Sequence, residues 1–183
     1  GILNQLAESM LHIFNVTSVY ISDWHAETGI STVIAESYSP AATEKEKVSD
    51  LGVPYNLKEL YPSLRWLQES TPQYYHHDDP EQTEWDREHM IVHEWKTSLI
   101  VPLVINSHIF GYAEIWESRH KREYTAEELA LAKQLAQQVT VALLNARLYH
   151  AEAQRRRESE IVQEIAGYLT STLNLDDVLS RVI

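Results

Sequence analysis

No glycine or proline occurs between Tyr112 and Ala166, and a chain with so long an unbroken stretch is committed to at least one very long helix. Thr125 followed by Glu128 three residues later forms a capping box, which sets the start at Ala126. From there the helix can run to near Gly167, on the order of 60 Å at about 1.5 Å per residue. Its first part is apolar almost all round, through Leu129, Leu131, Leu135, Val139, Val141, Leu143 and Leu144. A helix apolar on two sides has to bury two sides. One side is expected to pack on the rest of the domain and the other on a second copy of the chain. After Leu148 the character changes: Ala151, Ala153 and Arg155-Arg156-Arg157 offer little to bury, and Ile161, Ile165 and Leu169 then resume the stripe. This reads as a solvated coiled-coil linker without a strict heptad.

The preceding sequence supplies the partners. Residues 2–14 form a helix, with Leu3, Leu6, Met10 and Phe14 spaced by three or four. Residues 17–24 and 31–38 are β-branched and aromatic, and Ala26-Glu27-Thr28-Gly29 joins them as a hairpin turn. Alternation sets Val19 and Ile21 against Tyr20, Ser22 and Trp24. Residues 39–56 are a polar loop with one helical turn near Glu44. A short helix starts at Pro62, carries Leu64 and Leu67 and stops before Pro72. A short strand covers 73–77. Another helix starts at Asp79-Pro80 and runs to about Trp95. Strands 98–105 and 109–117 turn at Asn106-Ser107, with Gly111, Ala113 and Ile115 on one face and Tyr112, Glu114 and Trp116 on the other. The small residues at 111 and 113 would let a helix lie close on the sheet. Asn174 is a candidate N-cap for one more helix, and both ends of the chain read as cuts within a longer protein.

Composition removes several functions. Lys and Arg total 15 against 27 for Asp and Glu, a net charge of -12 that repels phosphate backbones and argues against nucleic acid. With no cysteine, disulfides, thiolate metal sites and cysteine nucleophiles are absent together, which fits the cytoplasm. No segment has the roughly 18 apolar residues of a membrane span. No GxSxG elbow, phosphate loop or paired-glycine dinucleotide motif occurs, so nothing supports an enzyme.

Three stretches, LYPSLRWLQESTP (60–72), SLIVPLVINSHIFGYAEI (98–115) and YTAEELALAKQLAQQVTVALLNARLY (124–149), together resemble the GAF domain, a small-molecule-sensing module of bacterial signalling proteins. The resemblance covers about residues 2–150. It implies an α+β fold: an antiparallel twisted sheet with the terminal helices on one face, short helices and loops over the other, and a long C-terminal signalling helix. It divides the chain into a GAF-like sensory domain at 1–150, a helical coiled-coil linker at 151–163 and the truncated first helix of a following, GAF-like domain at 164–183. It implies a non-catalytic module that binds a small molecule or dimerises through its N- and C-terminal helices. The module would relay its state to an output domain in the same chain, such as the histidine kinase of a two-component system. A ligand-free dimerising spacer is the alternative. The ligand and cofactor are unknown. No covalently attached bilin is expected, because bilin-carrying members attach it through cysteine. Methionine-sulfoxide-reducing members need cysteines as well, and the Asn-Lys-Phe-Asp-Glu signature of cyclic-nucleotide-regulated members is missing.

On that fold Trp66, Trp85 and Trp95 would come from the elements covering the sheet, and Trp116, Tyr112 and Glu114 from the sheet face beneath, with Ser98 and Ile100 beside them. An aromatic cavity with one carboxylate suits a flat or cationic ligand; the same rings could equally fill the space as core. His89 and His93 share a helix face as a metal pair would, and His76-His77 follow a strand, so a metal or haem sensor is a third reading. HMIVHE lacks the catalytic Glu of the zinc-protease motif, and a solvated helix and a strand end explain these histidines more simply, so no metal site is assigned.

Overall fold

A computed structural model describes the chain at residues 1–60, 69–80 and 84–180, with side chains described throughout these except at 85, 86 and 170–180. The expected helix from Pro62, with Leu64 and Leu67, lies outside the described residues, as does the stretch 81–83. The chain divides into two units, Gly1–Leu143 and Leu144–Ile183.

The first unit opens with helix α1 (Ile2–Phe14). Asn15 ends it in the left-handed conformation, φ 47°, ψ 59°. The N–H groups of Asn15 and Val16 return to the carbonyls of His12 and Leu11, the paired bonds of a Schellman stop. Asn is one of the few residues that tolerates this backbone. Arg119 and Arg122 donate to the carbonyls of Asn15 and Phe14, placing positive charge at the negative end of the helix.

Strands β1 (Ser18–His25) and β2 (Ile30–Tyr38) form the expected hairpin. Strand β3 (Pro54–Asn56) and helix α2 (Leu57–Leu60) follow. This β3 falls inside the stretch read as loop; three residues are too few to show an alternating pattern. The helical turn near Glu44 is present as a single turn in which Lys47 N–H reaches Thr43 O. Next come β4 (Gln73–His76), α3 (Glu84–His93), β5 (Thr97–Ile105) and β6 (His108–Glu117). Asn106 and Ser107 both have positive φ, 49° and 64°, as a two-residue hairpin turn requires. The sheet order is β3-β2-β1-β6-β5-β4 with every strand pair antiparallel. Pro102 lies past the end of β4, whose pairing with β5 stops at Ile100, so its missing N–H falls where no β4 residue pairs.

One face of the sheet carries Val19, Ile21, Ala35, Leu99, Val101, Leu103, Ala113 and Ile115 against Ala7, Met10, Leu11 and Phe14 of α1 and Ala132, Ala136, Val139 and Leu143 of helix α4 (Ala126–Ser180). Terminal helices on one face is the arrangement expected. Each large side chain fully buried here contributes about 1.5–3 kcal/mol. The small residue at 111 has a different reason from the one expected. A Cβ on Gly111 would sit 2.1 Å from Ser22 O, so the close approach is to the neighbouring strand at its bulge, not to a helix.

The capping box forms as expected: Thr125 N–H reaches Glu128 Oε2 at 2.9 Å and Glu128 N–H reaches Thr125 Oγ1 at 3.2 Å. Helix α4 then passes Gly167 and continues to Ser180, so Asn174 lies within it and not at a helix start. On the first unit's part of α4, Leu131 and Val141 are exposed. The described part of the second unit is helical, with Leu148, Tyr149, Ile161, Val162, Ile165, Tyr168 and Leu169 exposed. No helix among the described residues is long and apolar enough to cross a membrane.

Candidate functional site

The opposite face of the sheet carries the aromatic residues. Because Tyr112, Glu114 and Trp116 alternate with the core residues of β6, all three project there. The same parity on β1 brings up Tyr20 and Ser22 beside them, since Tyr20 pairs with Glu114 and Ser22 with Tyr112. Trp116 is the hub. Trp95 stacks on it at 5.6 Å between ring centroids and 25° between planes, and Tyr20 lies 4.6 Å away. The His89 and His93 rings stand 5.8 and 5.4 Å from it and 4.3 Å from each other.

Glu114 is fixed in place. Its Oε1 accepts from Trp116 Nε1 at 2.7 Å and from Ser98 Oγ at 3.0 Å. Tyr112 Oη meets Ser31 Oγ at 3.0 Å, and Ser31 donates onward to Asp23 O. Tyr20 Oη donates to Glu46 O. Burial raises Tyr20 and Tyr112 far above the ordinary phenol range, so both remain neutral. Burial and the neighbouring His93 push His89 down to about 4, and burial also lowers His93, so His89 is uncharged near neutral pH.

Above these side chains is a cavity of ≈ 50 Å³. Its floor is Tyr20, Ser22, Val33, Tyr55, Ile100, Tyr112, Glu114 and Trp116 of the sheet; Asp50, Leu57, Leu60 and His89 border it from the covering segments. Of the residues expected at a site, Ile100, Tyr112, Glu114 and Trp116 line it. Ser98 acts one step back, through Glu114, and Trp95 supports Trp116 from behind. Trp95 also follows α3 rather than belonging to it, because Glu94 ends that helix with φ 62°. Trp66 and the side chain of Trp85 lie outside the described residues. Tyr20, Ser22, Val33, Asp50, Tyr55, Leu57 and Leu60 were not expected, and His89 was weighed only as a metal or haem ligand. The parity that sets Tyr20 and Ser22 opposite Val19 and Ile21 is a signal for those two; Asp50 and Tyr55 come from a loop and a three-residue strand that carry no such signal.

A second polar centre has no counterpart among the sequence expectations. Glu46, fully buried, accepts from Thr17 Oγ1 at 2.7 Å and Ser18 Oγ at 2.9 Å, and its Oε2 accepts Thr43 N–H at 2.7 Å. Thr43 and Glu46 form a capping box on the single turn of the 39–53 loop. Lys45 of that turn pairs with Glu94 beyond α3 at 2.8 Å. The loop is thereby tied both to β1 and to the end of α3.

Of the histidines weighed as metal ligands, His89 and His93 stay side by side against Trp116, and His76 and His77 bond elsewhere. His76 lies between Thr97 Oγ1 and Glu123 Oε1, each at 3.0 Å, and His77 Nδ1 meets Lys96 O. Among the described residues no group of three His, Asp or Glu is placed to hold a metal.

The family model for the GAF domain matches residues 2–144. No curated protein matches the chain in sequence. Solved structures do. The chain is similar to GAF3 from Slr1393 of Synechocystis sp. PCC6803 in its photoproduct state, at 16% identity and TM-score 0.67 over 82% of this chain and 96% of that one. It is similar to a phycocyanobilin-bound GAF domain of a cyanobacterial phytochrome, at 18% identity and TM-score 0.66 over 81% and 86%. It is also similar to the blue-light absorbing form of the Thermosynechococcus elongatus PixJ GAF domain, at 16% and 0.65 over 85% and 89%. These neighbours correct one expectation. The missing cysteine led to the expectation of no covalently attached bilin, with the cofactor left unknown, yet domains of this fold are bilin-bound. The cysteine count removes a cysteine thioether and nothing more; it is no ground for setting this ligand class aside. With the family model spanning most of the chain and the six-stranded sheet and terminal helices of the same fold, the chain belongs to the GAF domain family.

Proposed function

We propose that the chain is a non-catalytic sensory domain of a cytoplasmic signalling protein, binding a small molecule between the sheet and its covering segments. The observation that carries this reading is the preorganised carboxylate of Glu114, held by Ser98 and Trp116 at the floor of an aromatic-walled cavity. A fixed acceptor and rings of this kind lower the ordering cost of a bound ligand. Similar domains are bound to phycocyanobilin and phycoerythrobilin, so linear tetrapyrroles are among the ligands to test. Residues 1–150 form the sensory domain, 151–163 a coiled-coil linker and 164–183 the opening of a further domain. Two copies associate through α1 and α4, whose exposed Ile2, Ile13, Leu131 and Val141 leave an apolar surface for a partner. A ligand that favours one packing of the helices would bias an output module such as a histidine kinase.

A second reading, a ligand-free dimerising spacer, is favoured by the cavity volume. At ≈ 50 Å³ it falls well below the roughly 300–1,000 Å³ of drug-sized pockets, so a tetrapyrrole would have to lift the covering segments. Native mass spectrometry of the purified protein, before and after incubation with phycocyanobilin, separates the two. The sensor reading expects a molecule retained in the native spectrum and released on denaturation, since no cysteine holds it. Bare polypeptide in both samples, with an unchanged melting temperature, leaves the spacer.

A further inference from the structure

If the cavity is a ligand site, as the sensory function requires, its size and wall chemistry also select the class of ligand. A volume of ≈ 50 Å³ has room for about three to five water molecules, hence for a ligand of about five heavy atoms without moving the cover. Four aromatic rings, Tyr20, Tyr55, Tyr112 and Trp116, line the walls together with aliphatic side chains, and the polar ends of three of the rings are occupied elsewhere. Tyr20 Oη is bonded to Glu46 O, Tyr112 Oη to Ser31, and Trp116 Nε1 to Glu114. Two carboxylates, Asp50 and Glu114, border the space, and no Lys or Arg is among its described lining residues. The remaining titratable wall group, His89, is uncharged near neutral pH because burial and His93 oppose its protonation.

We propose that the cavity between Tyr20, Tyr55, Tyr112 and Trp116 takes a small organic ammonium ion, of the size of tetramethylammonium or a methylated amine head. Aromatic rings attract such cations through their quadrupoles, and an ammonium already substituted with methyl groups gives up little hydration on entering an apolar cage. Asp50 and Glu114 supply the negative charge that an anionic or neutral molecule of the same shape could not use. The strongly acidic chain, at net charge -12, draws cations towards the site over longer range.

The test compares three probes of similar size at pH 7.5 and constant ionic strength: tetramethylammonium chloride, tert-butanol and sodium pivalate. The readout is the indole N–H resonance of Trp116. The expected result is a saturable shift with tetramethylammonium and binding at least about tenfold weaker for the other two. Glu114→Gln keeps an oxygen that accepts from Ser98 and Trp116 but removes the charge; Asp50→Asn removes the other charge at nearly the same size. Each is expected to weaken tetramethylammonium about tenfold and to leave tert-butanol unchanged. Equal binding of tert-butanol, or preference for pivalate, overturns the ammonium assignment and leaves the ligand site standing. No response to any probe overturns it too. If phycocyanobilin or a co-purified molecule is nevertheless retained in the native spectrum, the site survives; if nothing is retained, both readings fall together.

Discussion

Thr17 Oγ1 lies 2.7 Å from Glu46 Oε1 and joins two segments 29 residues apart. A hydroxyl has one proton, and the shorter of its two possible donations, against 2.9 Å to Trp116 O, goes to the carboxylate. The lone pairs of Thr17 then accept Ser118 N–H at 3.1 Å. One side chain thus couples the 39–53 loop, the start of β1 and the end of β6, where Trp116 begins the aromatic cluster.

Replacing Glu46 tests that coupling. Glu46→Ala removes the carboxylate that accepts from the Ser18 hydroxyl and the Thr43 N–H, and leaves Thr17 only its longer donation to Trp116 O. The expected loss is about 2–4 kcal/mol in urea unfolding. Glu46→Gln retains an acceptor oxygen and is expected to lose less. Equal stability of wild type and both variants would show that the loop is not held from this point.

Stability falls on acidification because of His89. Its folded-state value of about 4 lies below the ordinary 6.5, so between these values the unfolded chain binds more protons than the folded one. Stability therefore declines as pH drops from about 6.5 to about 4, by on the order of 2–3 kcal/mol, with the depressed His93 acting in the same direction. Asp50 and Glu46 pull His93 the other way without overcoming its burial. The expected signature is a slope in unfolding free energy over this window that shrinks in His89→Gln, measured by chemical denaturation at several pH values.

Gly111→Ala is expected to be among the most damaging single-methyl additions. The new Cβ would meet Ser22 O at 2.1 Å, a backbone atom held in the β1–β6 ladder, and no rotamer relieves it. Separation of β1 and β6 at this point should cost at least about 2–3 kcal/mol, read as a lowered Tm. Ala113→Gly, on the same strand, should cost about 1 kcal/mol by comparison.

Self-association is tested on the exposed helix surface. Val141 and Leu148 are 53% and 68% exposed in one copy, so Val141→Glu and Leu148→Glu should leave circular dichroism and Tm nearly unchanged. The proposed association through α4 predicts that the parent sediments as a dimer and the double variant, at the same concentration, as a monomer. An unaltered sedimentation coefficient would remove α4 from the interface.

The amino-acid sequence by itself determined the secondary structure wherever a period is long enough to read. The glycine- and proline-free run with its Thr125–Glu128 box dictated α4, and alternation assigned the two faces of β1 and β6, because side-chain direction along a strand follows parity alone. That parity already brought Tyr112, Glu114 and Trp116 to one side. Only the tertiary structure decided which other residues meet them. Asp50, Tyr55 and His89 reach the cavity through a loop, a three-residue strand and a helix whose approach is set by contacts distant in sequence: Glu46 on Thr17, Lys45 on Glu94, and Trp95 on Trp116. Such contacts leave no periodic trace, because each is a single pairing between segments whose spacing along the chain is arbitrary. The same holds for Gly111, whose need for a bare backbone arises from the passing carbonyl of Ser22 and not from its own strand.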